Sequence, residues 1–317
     1  MTIYILGAGD PEMERIEALL TACGRAVVHA IAGERRVHPG SAYAADSADG
    51  PLPLNRPWVM IECGWAPAAA PAEKADITVI DHHRPGDPGF GRPPAEFLAA
   101  SSLGQVISNL SHTRPALISA WPGQRRASVG VPPDWRGLDV GEFVLDEHSG
   151  RWYVGIRVDT QRDAAAIEIP QDLVLAAAAD HCLGAAYQGW CPGVHPVSLM
   201  TWRAESRAKF QRRTAIAVLA DVEAAIAVLR VAPKRHLCGG LEVATITGSV
   251  PELPEAGTRS GISYEADGLI GPDKRRKIVL SSVDPALVRA WIVEQQSLGR
   301  ETYGDPERGF AGAYLDY

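Results

Sequence analysis

The chain has 317 residues, of which 46% are hydrophobic and 22% charged, an ordinary globular composition with room for two packed domains. A net charge of −7 argues against long duplex nucleic acid as a partner, because neutralising phosphates takes a basic face; a small anion held through metal ions stays compatible. The five cysteines, Cys23, Cys63, Cys182, Cys191 and Cys238, form no Cys-x-x-Cys pair, which points to free thiols in a reducing cytoplasm rather than to disulfides or a zinc knuckle.

The chain begins MTIYILGAGDPEME, with no basic region ahead of its apolar run, so no signal peptide is expected. No apolar run reaches membrane-spanning length: QDLVLAAAADHCLGAAY, the nearest, is broken by Asp180 and His181. TIYIL reads as a strand and GAGD as a turn. PEMERIEALLTACG reads as a helix with Met13, Ile16, Leu19 and Leu20 on one face and Gly24 at its end. RAVVHAIA, WVMIECG and DITVI read as further strands, separated by a turn-rich stretch and a short helical or turn segment. Alternating strands and helices with near-continuous apolar strands predict a parallel sheet covered on both faces.

A helix is expected to start near Ser101 or Ser102, and FVLDEHSGRWYVGI to form a hairpin. EIPQDLVLAAAADHCLGAAYQG reads as helical, and residues 202–230 as the longest helix. We place the domain boundary at its end, giving domains 1–232 and 233–317, the second a smaller mixed α/β unit.

Three of these strands end in acid or imidazole. TIYIL leads to Asp10 and Glu12, WVMI to Glu62, and TVI to Asp81, His82 and His83. Open α/β sheets bind ligands beyond the carboxyl ends of their strands, so these groups are expected to converge. Carboxylates crowded in one crevice repel one another unless cations neutralise them, and two divalent metals bridged by a shared carboxylate meet that need. Asp10 before Pro11 reads equally as a helix N-cap, and Glu12 as dipole compensation in a first turn. An unpaired acid in an alanine-rich helix is costly, so Asp180 reads either as a ligand or as a boundary acid.

The order of these motifs resembles the DHH phosphoesterases, a family of exonucleases, oligoribonucleases, cyclic-dinucleotide phosphodiesterases and manganese pyrophosphatases. Asp10 and Glu12 match its first acid pair, Glu62 in IleGluCysGly its bridging aspartate, Asp81-His82-His83 its triplet, and Asp180 its late aspartate. Residues 99–106, AASSLGQV, look like the small-residue turn and helix that follow the triplet. The resemblance covers residues 1 to about 195 and implies a Rossmann-like parallel-sheet domain. It implies metal ligands Asp10, Glu12, Glu62, His82 and Asp180, with Mn²⁺ first and Mg²⁺ next. It further implies His83 facing substrate as a catalytic group, Asp81 holding the turn, and Ser101 and Ser102 near the substrate. Two departures stand out. Leu6 occupies the position where the family carries a histidine, with His38 a candidate replacement, and the family's glycine-rich C-terminal loop has only loose counterparts at 235–240 and 308–314.

Arg259 and Arg308, both beside glycines, are candidate phosphate clamps by bidentate geometry, or ordinary surface arginines. The basic run Lys274 to Lys277 reads as a solvated hairpin turn. A dinucleotide-binding reading of GAGDPE fails for want of a third glycine. The expected function is hydrolysis of a phosphodiester in a nucleotide or short oligonucleotide through a metal-activated water. The alternative is a protein of the same fold with an impaired first metal site that binds or senses a nucleotide without cleaving it.

Overall fold

The computed structural model describes residues 2–71, 76–113, 139–157, 164–237, 240–270, 275–306 and 309–315. It is a mixed α/β protein that divides into two compact units, Met1–Leu199 and Met200–Tyr317. The division falls well before residue 232, where the sequence suggests it.

The first unit runs β1 (Ile3–Leu6), α1 (Pro11–Ala22), β2 (Ala26–Ala32), β3 (Arg35–Arg36), β4 (Ser47–Ala48), β5 (Trp58–Ile61) and β6 (Ile77–Ile80). It continues through α2 (Phe97–Ala100), α3 (Ser102–Thr113), β7 (Phe143–Asp146), β8 (Arg151–Arg157), β9 (Ala164–Glu168), α4 (Gln171–His181) and α5 (Leu183–Tyr187). Strands β2, β1, β5 and β6 pair in parallel, in that order, while β3 and β4 pair antiparallel to the end of β2. Every residue of β1 and β5 is buried, as a strand between two parallel neighbours requires. Strand β6 ends the sheet among the described residues, and Ile77 and Val79 are exposed. One face of the sheet packs Ile3, Ile5, Val28, Trp58 and Met60 into a common core.

Helix α1 forms where the sequence places it. Asp10 caps it by accepting the Met13 amide at 2.7 Å, Pro11 opens it, and Met13, Ile16, Leu19 and Leu20 are buried. The predicted hairpin is β7–β8, and β9 adds a third antiparallel strand. The alanine-rich segment is two helices rather than one, broken at Cys182.

The second unit contains most of α6 (Pro196–Gln211), then α7 (Ala215–Val231), β10 (Lys234–His236), β11 (Glu242–Thr247), α8 (Leu253–Ser260), β12 (Tyr264–Ile270), β13 (Arg276–Ser281), α9 (Pro285–Ser297), β14 (Thr302–Asp305) and β15 (Phe310–Tyr314). Its six-stranded sheet has the order β10-β11-β12-β13-β15-β14, with only β11 and β12 parallel. The single helix expected over 202–230 is interrupted. Arg212 adopts a left-handed φ of 55°, and Thr214 caps a new helix by accepting the Ala217 amide. Arg276 and Lys277, expected in a turn, lie in β13. No helix among the described residues is long and apolar enough to cross a membrane.

Candidate metal centre

Register builds the site. Leu6 pairs with Ile61, and Ile61 with Ile80, so Gly7, Glu62 and Asp81 leave the sheet at one level on its carboxyl edge. The crossing is tight: a Cβ on Gly7 would lie 2.2 Å from the Glu62 carbonyl oxygen, so only glycine fits there. Glu62 itself has a left-handed φ of 49°, a conformation that strains a residue with a side chain. Its amide donates to the Ile80 carbonyl at 3.0 Å, and its side chain is buried.

Asp81 is fully buried and accepts four hydrogen bonds: Tyr43 Oη at 2.9 Å, the His82 amide at 2.7 Å, the His83 amide at 3.1 Å and His83 Nδ1 at 2.8 Å. Burial alone would raise its pKa, but the bonds from His83 and Tyr43 outweigh it and the net shift is downward. An ionised Asp81 fixes His83 as the Nδ1–H tautomer and leaves its Nε2 lone pair available. Tyr43 is in turn covered by the Arg84 guanidinium, 3.4 Å from its ring centre.

His82 is 9% exposed. Its Nε2 lies 2.8 Å from Asp180 Oδ2 and 3.6 Å from Glu62 Oε1, yet makes no hydrogen bond of acceptable geometry. Its Nδ1 faces His181 Nδ1 at 2.8 Å, and His181 Nε2 lies 3.2 Å from the Arg92 carbonyl. Burial, then the neighbouring His82, pull the His181 pKa down to about 4, which keeps it neutral near pH 7.

Asp10 and Glu12 complete an acidic wall. Burial, then the charge of Asp180, push Asp10 up to about 6. Glu12 accepts the Leu103 amide at 3.0 Å through Oε1, while its Oε2 is buried without a hydrogen-bond partner. Burial, then Asp180, Glu62 and Asp10, hold Glu12 well above the ordinary glutamate value. Glu62 is raised for the same reasons, burial first and then Asp180 and Asp10, with the Ser102 hydroxyl partly offsetting them. Glu62 Oε1 has no hydrogen-bond partner either.

One ligand atom from each of Glu62, His82, His83 and Asp180 falls within 4.8 Å of the others. Two oxygens and two imidazole nitrogens, gathered from three elements, can hold a divalent cation.

The sequence assigns five metal ligands. Glu62, His82 and Asp180 lie in this group, while Asp10 and Glu12 stand beside it, coupled to it by charge. His83, assigned to substrate, joins the ligand group. Leu6 is buried in β1 and His38 is exposed, its Nδ1 bound to the Gly40 amide. Ser101 is fully buried; its hydroxyl donates to the Leu98 carbonyl and accepts the Gly104 amide, serving a helix start rather than facing a substrate. Ser102 is equally buried and adjoins Glu62. Arg259 lies in the second unit, paired with Glu223 at 2.5 Å. Arg308 lies outside the described residues. Tyr43 and His181 are the site residues that sequence reasoning misses. Tyr43 sits in a featureless turn-rich stretch, whereas His181 carries a signal, as a polar break in an apolar helix. Compared with known proteins, the chain matches no family model, no curated protein and no solved structure.

Proposed function

We propose that the chain is a metal-dependent phosphoesterase of the DHH type, with a Rossmann-like catalytic unit, acting on a phosphodiester in a nucleotide or short oligonucleotide. The carrying observation is the group Glu62, His82, His83 and Asp180, converging within 4.8 Å at the carboxyl edge of a parallel sheet with Glu62 Oε1 left without a donor. Glu62 and Asp180 would supply oxygen and the two histidines nitrogen to a divalent cation, with Asp10 and Glu12 extending the acidic surface beside them. Carboxylates with imidazole favour manganese, with magnesium next as the carboxylate share rises. A divalent cation bound here supplies an activated water and neutralises a phosphoryl group. The chain's own part is to fix the ligands: Asp81 orients His83, the β5–β6 pairing fixes Glu62, and α4 delivers Asp180. A cytoplasmic setting and a small nucleotide substrate belong to the same reading.

A second reading has one observation in its favour. Leu6 is packed in the core where the DHH pattern carries an imidazole, so a first metal site of reduced strength, in a protein that binds nucleotide without cleaving it, is the alternative. Protein purified without chelators, loaded with Mn²⁺ and offered short oligonucleotides, cyclic dinucleotides and pyrophosphate, separates the two. Metal-dependent turnover that is lost in Glu62→Gln supports the esterase. Nucleotide binding with no turnover supports the second reading, and substoichiometric Mn²⁺ after loading removes the esterase.

A further inference from the structure

We infer that His181 is a positioning residue that sets the tautomer of His82 and so presents its Nε2 lone pair to the cation. The inference rests on the metal reading above and deepens it. The steps are geometric. A backbone carbonyl only accepts, so the 3.2 Å contact between His181 Nε2 and the Arg92 oxygen requires a proton on that nitrogen. The two rings are 23° from coplanar, with centroids 5.0 Å apart and their Nδ1 atoms 2.8 Å apart, so the nitrogens meet head-on between the rings. That gap holds one proton. His82 Nε2 meets no acceptor in hydrogen-bonding geometry, so the shared proton is assigned to His82 Nδ1, His181 Nδ1 accepts it, and His82 Nε2 is bare.

This assignment explains the otherwise awkward side of His82. A protonated Nε2 at 2.8 Å from Asp180 Oδ2 would turn into a hydrogen bond, but the angle is wrong for one. Two lone pairs that close repel each other unless a cation lies between them. His83 reaches the same state by another route, through the Asp81 carboxylate. Metal-binding histidines usually donate their second nitrogen to a carboxylate, a carbonyl or water. Here Asp81 already serves His83, and the second imidazole is oriented by a third histidine, itself anchored to a carbonyl.

The test uses the full chain with ¹⁵N-labelled histidine, its signals assigned by single replacements. Long-range ¹H–¹⁵N spectra of the metal-free wild type are expected to show His82 protonated on Nδ1. His181→Leu removes the acceptor; a mixed His82 tautomer is expected, with Mn²⁺ affinity about 10- to 100-fold lower, the usual cost of losing such a partner. His181→Gln keeps both an acceptor for His82 and a donor for Arg92, and is expected to restore the Nδ1–H tautomer and most of the affinity. A wild-type His82 protonated on Nε2 overturns the inference, as does a His181→Leu variant with unchanged tautomer and affinity. If wild type binds no Mn²⁺, the metal reading fails by itself, and the metal-free spectra still decide the role of His181.

Discussion

The acids of the centre make the metal-free protein sensitive to alkali in a calculable way. Asp10 rises from 3.8 to about 6 on folding. Between those values the unfolded chain has released a proton that the folded chain still holds, so stability falls as pH rises. A shift of about two units is worth about 3 kcal/mol, lost between roughly pH 4 and pH 6. For a unit of this size that is about 6–12 °C in Tm. Glu12 and Glu62 shift in the same direction and deepen the fall. Asp81, Asp49 and Asp46 shift downward; their stabilisation is complete above the unfolded carboxylate value and does not mask the effect. His181 opposes it: its pKa falls from 6.5 to about 4, so it adds stability as pH rises over nearly the same window, and the acid contribution is read in a His181→Gln background, where that imidazole is absent. Bound Mn²⁺ removes the cause, and free metal at 100 times Kd adds about 2.7 kcal/mol. Thermal melts across roughly pH 4 to 8, with chelator and with Mn²⁺, measure both terms. Asp180→Asn is expected to flatten the chelator curve, because Asp180 is the leading charge acting on all three acids. A chelated His181→Gln protein whose Tm rises with pH over this range, or a Mn²⁺ increment no larger at pH 8 than at pH 4, refutes the argument.

Gly7→Ala drives a methyl into the Glu62 carbonyl at 2.2 Å and is expected to lose about 3 kcal/mol or more, together with Mn²⁺ binding, as read by denaturant melts and metal titration. Asp81→Ala strands four donors in the interior; about 3–5 kcal/mol of stability should go, whereas Asp81→Asn, which still accepts, should lose far less. Cys182 and Cys191 place their sulfur atoms 2.8 Å apart, so a mild dithiol oxidant is expected to close an intramolecular disulfide. Loss of two free thiols in a titration and an unchanged monomer mass on a non-reducing gel would show it.

The parallel strands and the convergence at their ends are legible because the strands are short apolar runs and three of the four lead into acid or imidazole. Periodicity gives the element, and the sheet rule gives the edge. The helix break at 212–214 is illegible for a physical reason. Helical periodicity continues through Arg212 and Arg213, and only the left-handed φ of Arg212 and the cap at Thr214 end it. Neither arginine announces such a turn as a glycine would. The substrate role suggested for Ser101 comes from the family resemblance, and that for Arg259 from the glycines near it in sequence. The fold uses Ser101 to start a helix and Arg259 to pair with Glu223. Tyr43 is beyond sequence reasoning because its one informative contact, with Asp81, is made 38 residues away.

The adjacency of His82 and His83 explains why the site draws on α4. Neighbouring imidazoles on one turn cannot share an orienting partner: Asp81 Oδ1 already accepts the two histidine amides and His83 Nδ1. His82 therefore needs a partner from outside the turn, and finds it 99 residues along the chain at the tip of α4. The same tip carries Asp180, so one helix end supplies both a ligand and the group that orients another ligand. The charge then follows. Asp10, Glu12, Glu62 and Asp180 crowd four acids into one crevice, and burial first, then the charge of Asp180, hold Asp10, Glu12 and Glu62 above their ordinary values. A centre that crowds these acids beside imidazole is thus suited to a divalent cation.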